Sequence, residues 1–131
     1  LILVKNEKKY WDFIHSLRND PKLKKGFIQQ QDIDIKDHYS YMEKNGDHYY
    51  VCLANGSPVG FVGQVDGDIR LAVAEYCHGK GVGTYMVKQL MKSYPNSHAK
   101  VKIDNKPSLN VFLKNGFEVK EQDDNFYYLV K

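Results

Sequence analysis

The tightest constraint on the fold is a pair of turn signals, Asn55-Gly56 and Asp66-Gly67, set in the stretch "HYYVCLANGSPVGFVGQVDGDIRLAV". Asn-Gly and Asp-Gly accept the positive φ of two-residue hairpin turns, whose twist matches that of the strands they join. Three apolar, partly β-branched runs flank and separate them. The stretch therefore predicts a three-stranded antiparallel meander at 48–54, 58–65 and 68–74. Such a meander argues against a doubly wound dinucleotide-binding sheet, which is built from parallel strands.

Helical periods surround the meander. "LILVKN" reads as a first strand. Tyr10, Phe13, Ile14 and Leu17 then fall on one face of a helix, with Asn6 as its N-cap and "NDP" ending it before Pro21. Residues 22–47 are less regular, and "IDIKDHYSYMEKNG" turns helical from Ile35 to a stop at Asn45-Gly46. A helix is expected over 82–94. A strand follows with Ala99, Val101 and Ile103 on one face. Pro107 suits the first turn of a short helix, 106–115, closed by Asn115-Gly116. A last hairpin turns around Asp123-Asp124-Asn125. The order βα(α)βββαβαββ is an α/β chain of the α+β type, a mixed, mostly antiparallel twisted sheet flanked by helices. At 131 residues and 42% hydrophobic, the expectation is one domain over 1–131.

Composition removes several classes. A net charge of +3 with dispersed lysines reads as a solvated surface and gives no case for nucleic acid. Cys52 and Cys77 are too few for a disulfide scaffold and lie outside metal-ligand spacing, so no metal is expected and the compartment reads as reducing and cytoplasmic. "LILV" is too short for a membrane span. The first residue is not Met, which leaves room for missing N-terminal chain.

Chemistry concentrates in "EYCHGKGVGTYM", where Gly79, Gly81 and Gly83 precede a helix. A helix start offers free N–H groups and partial positive charge to an anion. A Walker loop does not fit, because Lys80 lies between glycines; a G-x-G-x-x-G fingerprint does not fit, because the third glycine is misplaced. A plain glycine-rich turn is the unspecific alternative. The segment His78-Gly79-Lys80-Gly81-Val82-Gly83 resembles the R/Q-x-x-G-x-G/A loop of the GNAT acyltransferase superfamily, with His78 in place of the usual Arg or Gln. "DNKPSLNVFLKNGFE" is similar to that superfamily's closing motif at Asn105, Ser108, Phe112, Gly116 and Phe117. The element order also agrees.

The resemblance implies an N-acetyltransferase. Its loop, His78 through Thr84, would hold the pyrophosphate of acetyl-CoA by main-chain N–H groups. Leu71, Ala72 and Val73 would pair with the pantetheine arm in a splay between the fourth and fifth strands. Asn105, Ser108 and Phe112 would complete the cofactor site. Acetyl transfer to an amine needs a base, and Asp68 and Glu75 are the candidates. Asp68 also sits in a turn, where Asp is common for local reasons. The general acid is the main departure: the family usually has Tyr where Phe112 stands, and Tyr127, Tyr128 and Cys77 are the substitutes on offer.

The acceptor falls to the N-terminal third. "SLRNDPKLKKGFIQQQDIDIKDHYSYMEK" loosely resembles acetyltransferases of amino sugars in nucleotide-linked glycans. Arg18, Phe27, His38 and Tyr41 are the substrate candidates, with Tyr39 and His48 nearby. The expected partner is a small-molecule amine, first an amino sugar or nucleotide-linked amino sugar. Protein N-termini and polyamines are alternatives, and a CoA-binding module of little activity is the alternative of another class. No membrane or nucleic-acid partner is expected, and the chain would act as a monomer or homodimer.

Overall fold

The computed structural model describes residues Leu1–Lys131. Strand β1 (Ile2–Lys5) leads through a 3-10 turn into helix α1 (Trp11–Arg18). Two helices follow, α2 (Pro21–Lys24) and α3 (Ile35–Asn45). The meander is β2 (Tyr49–Ala54), β3 (Ser57–Val65) and β4 (Asp68–Val73). Then come α4 (Val82–Ser93), β5 (His98–Lys102), α5 (Lys106–Lys114), β6 (Glu118–Gln122) and β7 (Phe126–Val130). Asn55 and Asp66 take φ of 51° and 53°, and their following glycines 82° and 84°, as the two hairpin signals require.

Two local expectations are corrected. Asn6 does not cap α1: its amide donates to the Gly46 carbonyl and the Met42 sulfur, so it ties β1 to the end of α3. Pro21 does more than end α1. It opens α2, whose N-cap Asp20 accepts from the Lys22 N–H at 2.9 Å.

The seven strands form one sheet in the order β1-β2-β3-β4-β5-β7-β6. All neighbours are antiparallel except β4 and β5, which run parallel and meet at one bridge, Asp68 to His98. Beyond it the two strands diverge, and β7 takes the other edge of β5.

Both faces of the meander are apolar because both are covered. Tyr49, Val51 and Leu53 turn toward α1 and α3, where Ile14, Leu17 and Met42 are buried. Cys52 and Val62 turn toward α4 and α5, against Met86, Val87, Leu90, Leu109 and Phe112. Helices α1 and α3 reach only as far as β4. The same face of β5, β7 and β6 stays open, leaving a depression of about 370 Å³ lined by Asp68, His98, Lys100 and Tyr128. No helix is long and apolar enough to cross a membrane.

Candidate active site

The divergence of β4 from β5 frees backbone groups along one strand edge. The Ala74 N–H donates to the Val59 carbonyl at 2.9 Å, so by strand alternation residues 70, 72 and 74 direct their polar groups to β3. Leu71 and Val73 direct theirs into the gap. Ala72, expected to pair with an arm in the gap, is corrected on this ground: its backbone belongs to the β3 ladder, and its side chain is buried toward α1.

At the far end of β4, none of the main-chain N–H groups from Gly79 to Thr84 has an acceptor within the protein. Four of these, Gly81 to Thr84, belong to any helix start; Gly79 and Lys80 extend the row. Helices α2, α3 and α5 are capped by the side chains of Asp20, Asp34 and Asn105, whereas α4, like α1, has no side-chain cap and takes Gly81 at its N-cap. Gly79 and Gly81 have φ of 78° and 83°, and a Cβ on either would meet nothing within 4 Å. The result is an open concave row of donors, ending in the positive pole of a 12-residue helix. It fits a diphosphate, with exposed Lys80 beside it.

His78 stands outside that row. Its N–H donates to the Glu75 carbonyl, and its ring nitrogen Nε2 lies 2.8 Å from the Val73 carbonyl oxygen. The side chain fastens the loop to β4 and occupies the carbonyl of Val73. The carbonyl of Leu71 and the N–H groups of both residues remain for the gap.

Other expected cofactor residues are placed differently. Phe112 is 1% exposed and packs edge-on against Phe117, with ring centroids 5.2 Å apart. A ring so enclosed offers no surface to a ligand, which corrects the cofactor contact assigned to it. Asn105 is committed within the protein: its Oδ1 accepts from the Ser108 N–H, and its Nδ2 donates to the Gly26 carbonyl. Ser108 is half-buried on the first turn of α5.

That Asn105 bond is part of a strap. Residues 21–27 span the two arms of the splay, tied to the β5–α5 arm by Asn105 and by Lys102, whose Nζ donates to the Lys25 carbonyl at 2.6 Å. On the β4 arm, Lys22 pairs with Glu75 at 3.3 Å. Glu75 is thus an exposed half of an ion pair.

Asp68 lies at the closed end of the splay, facing the open depression. Its carboxylate stands 3.6 Å from Arg70 Nε and 3.8 Å from His98 Nδ1. Burial pushes its pKa above the ordinary carboxylate value, and the positive charge of Arg70 and His98 only partly opposes this.

On the same face, where α3 ends its cover of the sheet, four side chains converge. The hydroxyls of Tyr41 and Tyr49 share a 2.7 Å hydrogen bond. Arg70 Nη1 donates to the Tyr41 hydroxyl at 3.4 Å, and the Arg18 guanidinium lies 5.8 Å from the Tyr41 ring centre. Tyr49 is 2% exposed and lies across Gly63, where a Cβ would stand 2.5 Å from its ring. Burial and the Tyr41 bond push the Tyr49 hydroxyl pKa upward. Sequence reading found Arg18 and Tyr41 but missed Arg70 and Tyr49; the strand alternation that pairs Arg70 with Asp68 was the available signal.

His38 and Phe27 are not part of this cluster. His38 is 1% exposed, with Nε2 bonded to the Trp11 carbonyl at 2.7 Å. Its substrate role is corrected: it clamps α3 to α1. Phe27 is half-buried against the core beneath α1. Tyr39 bonds Asp12 at 2.6 Å, and Asn19 holds Ile33 through both amide groups. Of the substitutes for a general acid, Cys77 is buried, Tyr127 accepts from Lys106 Nζ at 2.7 Å and Tyr128 donates to Asp123 at 3.0 Å.

The sequence profile of the Acetyltransferase (GNAT) family matches residues 11–117. No curated protein is similar in sequence to the chain. Among solved structures, yncA of Salmonella typhimurium, solved with its cofactor acetyl-CoA, superposes with a TM-score of 0.84 at 15% identity, covering 99% of this chain and 92% of that one. Ribosomal-protein-alanine N-acetyltransferase from Brucella melitensis gives 0.83 at 15% identity, covering 100% and 99%. Spermidine N-acetyltransferase from Vibrio cholerae, in complex with CoA and spermine, gives 0.80 at 13% identity, covering 99% and 94%. At these identities the likeness is one of fold.

Proposed function

The chain belongs to the acetyltransferase (GNAT) family and is an acetyl-CoA-dependent N-acetyltransferase; from that premise we propose that residues 1–131 act as one transferase unit whose acceptor is an amino sugar, first a nucleotide-linked one. The observation that carries the donor side is the row of unpartnered N–H groups from Gly79 to Thr84 beside the open edge of β4. Acetyl-CoA, when bound, supplies an acetyl thioester. Main-chain groups of the loop bind its diphosphate, with Lys80 adding charge. The N–H groups of Leu71 and Val73 face the gap and can donate to a carbonyl oxygen there, pre-placed without reorganisation.

The amine must lose a proton to act as nucleophile. Asp68 is the base we assign, directly or through one water. It faces the open depression, and its raised pKa brings it nearer the operating pH. Glu75 is the weaker choice, being held by Lys22. Phe112 has no hydroxyl to give, and the Tyr128 hydroxyl is bonded to Asp123. Solvent would then supply the leaving group's proton, which a thiolate tolerates.

The acceptor reading is supported by the open floor of β5, β7 and β6, where Phe126 and Tyr128 flank Lys100, beside Tyr41 and Arg18 at the helical rim. Aromatic faces and fixed polar groups suit a hydroxylated ring. CoA release, followed with acetyl-CoA and a panel of amino sugars, nucleotide-linked amino sugars, peptides and polyamines, tests it. Turnover led by the sugars is the expected result; turnover confined to peptides or polyamines overturns the acceptor. Tight CoA binding with no turnover of any amine favours a CoA-binding module.

A further inference from the structure

Two guanidinium groups gather on one phenol at the acceptor rim, and only one carboxylate answers them. Arg18 is half-buried over the Tyr41 ring, with no carboxylate within 4.0 Å and no hydrogen-bond acceptor in the protein. Arg70 reaches the Tyr41 hydroxyl at 3.4 Å and pairs with Asp68 at 3.6 Å, both longer than a tight hydrogen bond, so its fork is not saturated. Lys100 adds a third cation on the neighbouring floor. Cations gathered on one face repel one another, and Asp68 alone offsets them, so a bound anion would be favoured there. The phenols are rigidly set: Tyr41 bonds Tyr49, and Tyr49 is locked in place over Gly63.

We propose that Arg18 and Arg70 form an oxyanion-recognition site for the acceptor, so that this transferase selects amines that also carry a carboxylate or phosphate and rejects polyamines. The inference rests on the transferase reading above and narrows its substrate class. Guanidinium forks suit planar or tetrahedral oxyanions and give paired, charge-assisted bonds. The Tyr41 ring, with Arg18 over its face and Arg70 at its hydroxyl, fixes where that group sits. Arg70 lies on β4 one residue before Leu71, so an anion held there leaves the amine end free to reach Asp68 and the gap. A polyamine brings further positive charge to a rim where Arg18 has no carboxylate partner and Arg70 shares Asp68 with His98.

Matched acceptors test this with the intact protein and acetyl-CoA: glucosamine 6-phosphate against glucosamine, 4-aminobutyrate against butylamine, and spermidine. The expected result is a kcat/KM at least about tenfold higher for the anionic member of each pair, with spermidine poorest. Arg18→Gln and Arg70→Gln are expected to erase that preference through KM for the anionic member, and Arg70→Lys to restore part of it. Equal use of charged and neutral members, preference for spermidine, or equal losses on both members in the Gln variants overturns the proposal. The amino-sugar reading fails separately: 4-aminobutyrate outrunning both sugars removes the sugar and keeps the anion site, whereas glucosamine matching its phosphate keeps the sugar and removes the anion site. Should no acceptor turn over, inorganic phosphate is titrated into the CoA-saturated protein and the Arg Nε–H signals are followed by NMR. Saturable shifts at Arg18 and Arg70, lost in the Gln variants, support the site; their absence overturns it. Circular dichroism confirms that each variant is folded.

Discussion

Gly81 shows how much one residue decides. Its φ of 83° and the empty space around its missing Cβ are useful only if something else approaches the backbone there. Gly81→Asp puts negative charge into that space, at a left-handed backbone cost of about 1–2 kcal/mol. Calorimetric titration should show acetyl-CoA affinity reduced at least about tenfold, the equivalent of about 1.4 kcal/mol. Gly83 is a poorer probe, because a Cβ there would stand 3.1 Å from Val111 and disturb the packing of α4 on α5. Asp68 gives a prediction with a sign. Its folded pKa is raised, so ionising it costs more in the fold than in the unfolded chain. Its favourable contribution is present below the ordinary value of 3.8 and is lost as pH rises through the raised value. Asp68→Asn should therefore gain in melting temperature relative to the parent on going from about pH 3 to about pH 7. If Asp68 is the base, the same variant loses turnover with little change in KM for acetyl-CoA, and the acidic limb of the pH–rate profile disappears. An unchanged profile would return the proton to Glu75 or water.

Among the elements, the strap at 21–27 links the two arms of the splay through three bonds. Asn105 serves two of the elements involved, capping α5 and holding the Gly26 carbonyl. Asn105→Ala should cost about 1 kcal/mol for the lost cap. It should also speed amide exchange at 23–27 more than in α4 or the meander. Equal exchange changes everywhere would make the cap the whole effect and the strap independent of it. The elements also show why some expectations moved. His38 carries a polar side chain in an aromatic-rich helix, which reads as substrate contact from the sequence. In the structure, α1 and α3 lie close enough for its Nε2 to bond the Trp11 carbonyl, so the same polarity clamps two helices. Asn6 moved likewise, from a local cap to a long-range tie on Gly46.

Across the whole molecule, the donor site proposed above has parts that the sheet brings together: the edge of β4 and the start of α4. A ligand that binds only when both are formed stabilises the entire fold by linkage. At a CoA concentration about 100 times Kd, that contribution is about 2.7 kcal/mol. The melting temperature should rise accordingly with CoA. In Gly81→Asp the rise should largely vanish at the same concentration. A CoA-dependent rise of equal size in both proteins would place the diphosphate elsewhere.

The meander, the starts of α3, α4 and α5 and the glycine row were legible in the sequence because each depends on neighbours within one or two turns of chain. Asn55-Gly56 and Asp66-Gly67 need only positive φ, and Asn105-Lys106-Pro107 needs only a cap and a fixed first turn. The motif at Asn105–Phe117 likewise marked α5 and its closing turn. What the motif could not show is that Phe112 is sealed against Phe117, or that Asn105 spends both its polar groups inside the protein. Those outcomes depend on where α5 lands on the sheet. The insertion of β7 between β5 and β6, the single bridge from which β4 and β5 diverge, and the meeting of Arg18 with Arg70 over Tyr41 are of the same kind. Each joins residues distant in sequence, and no local pattern carries it. Tertiary packing decided them, because burying both faces of the meander fixes the helices on the sheet and thereby fixes which side chains meet at its open rim.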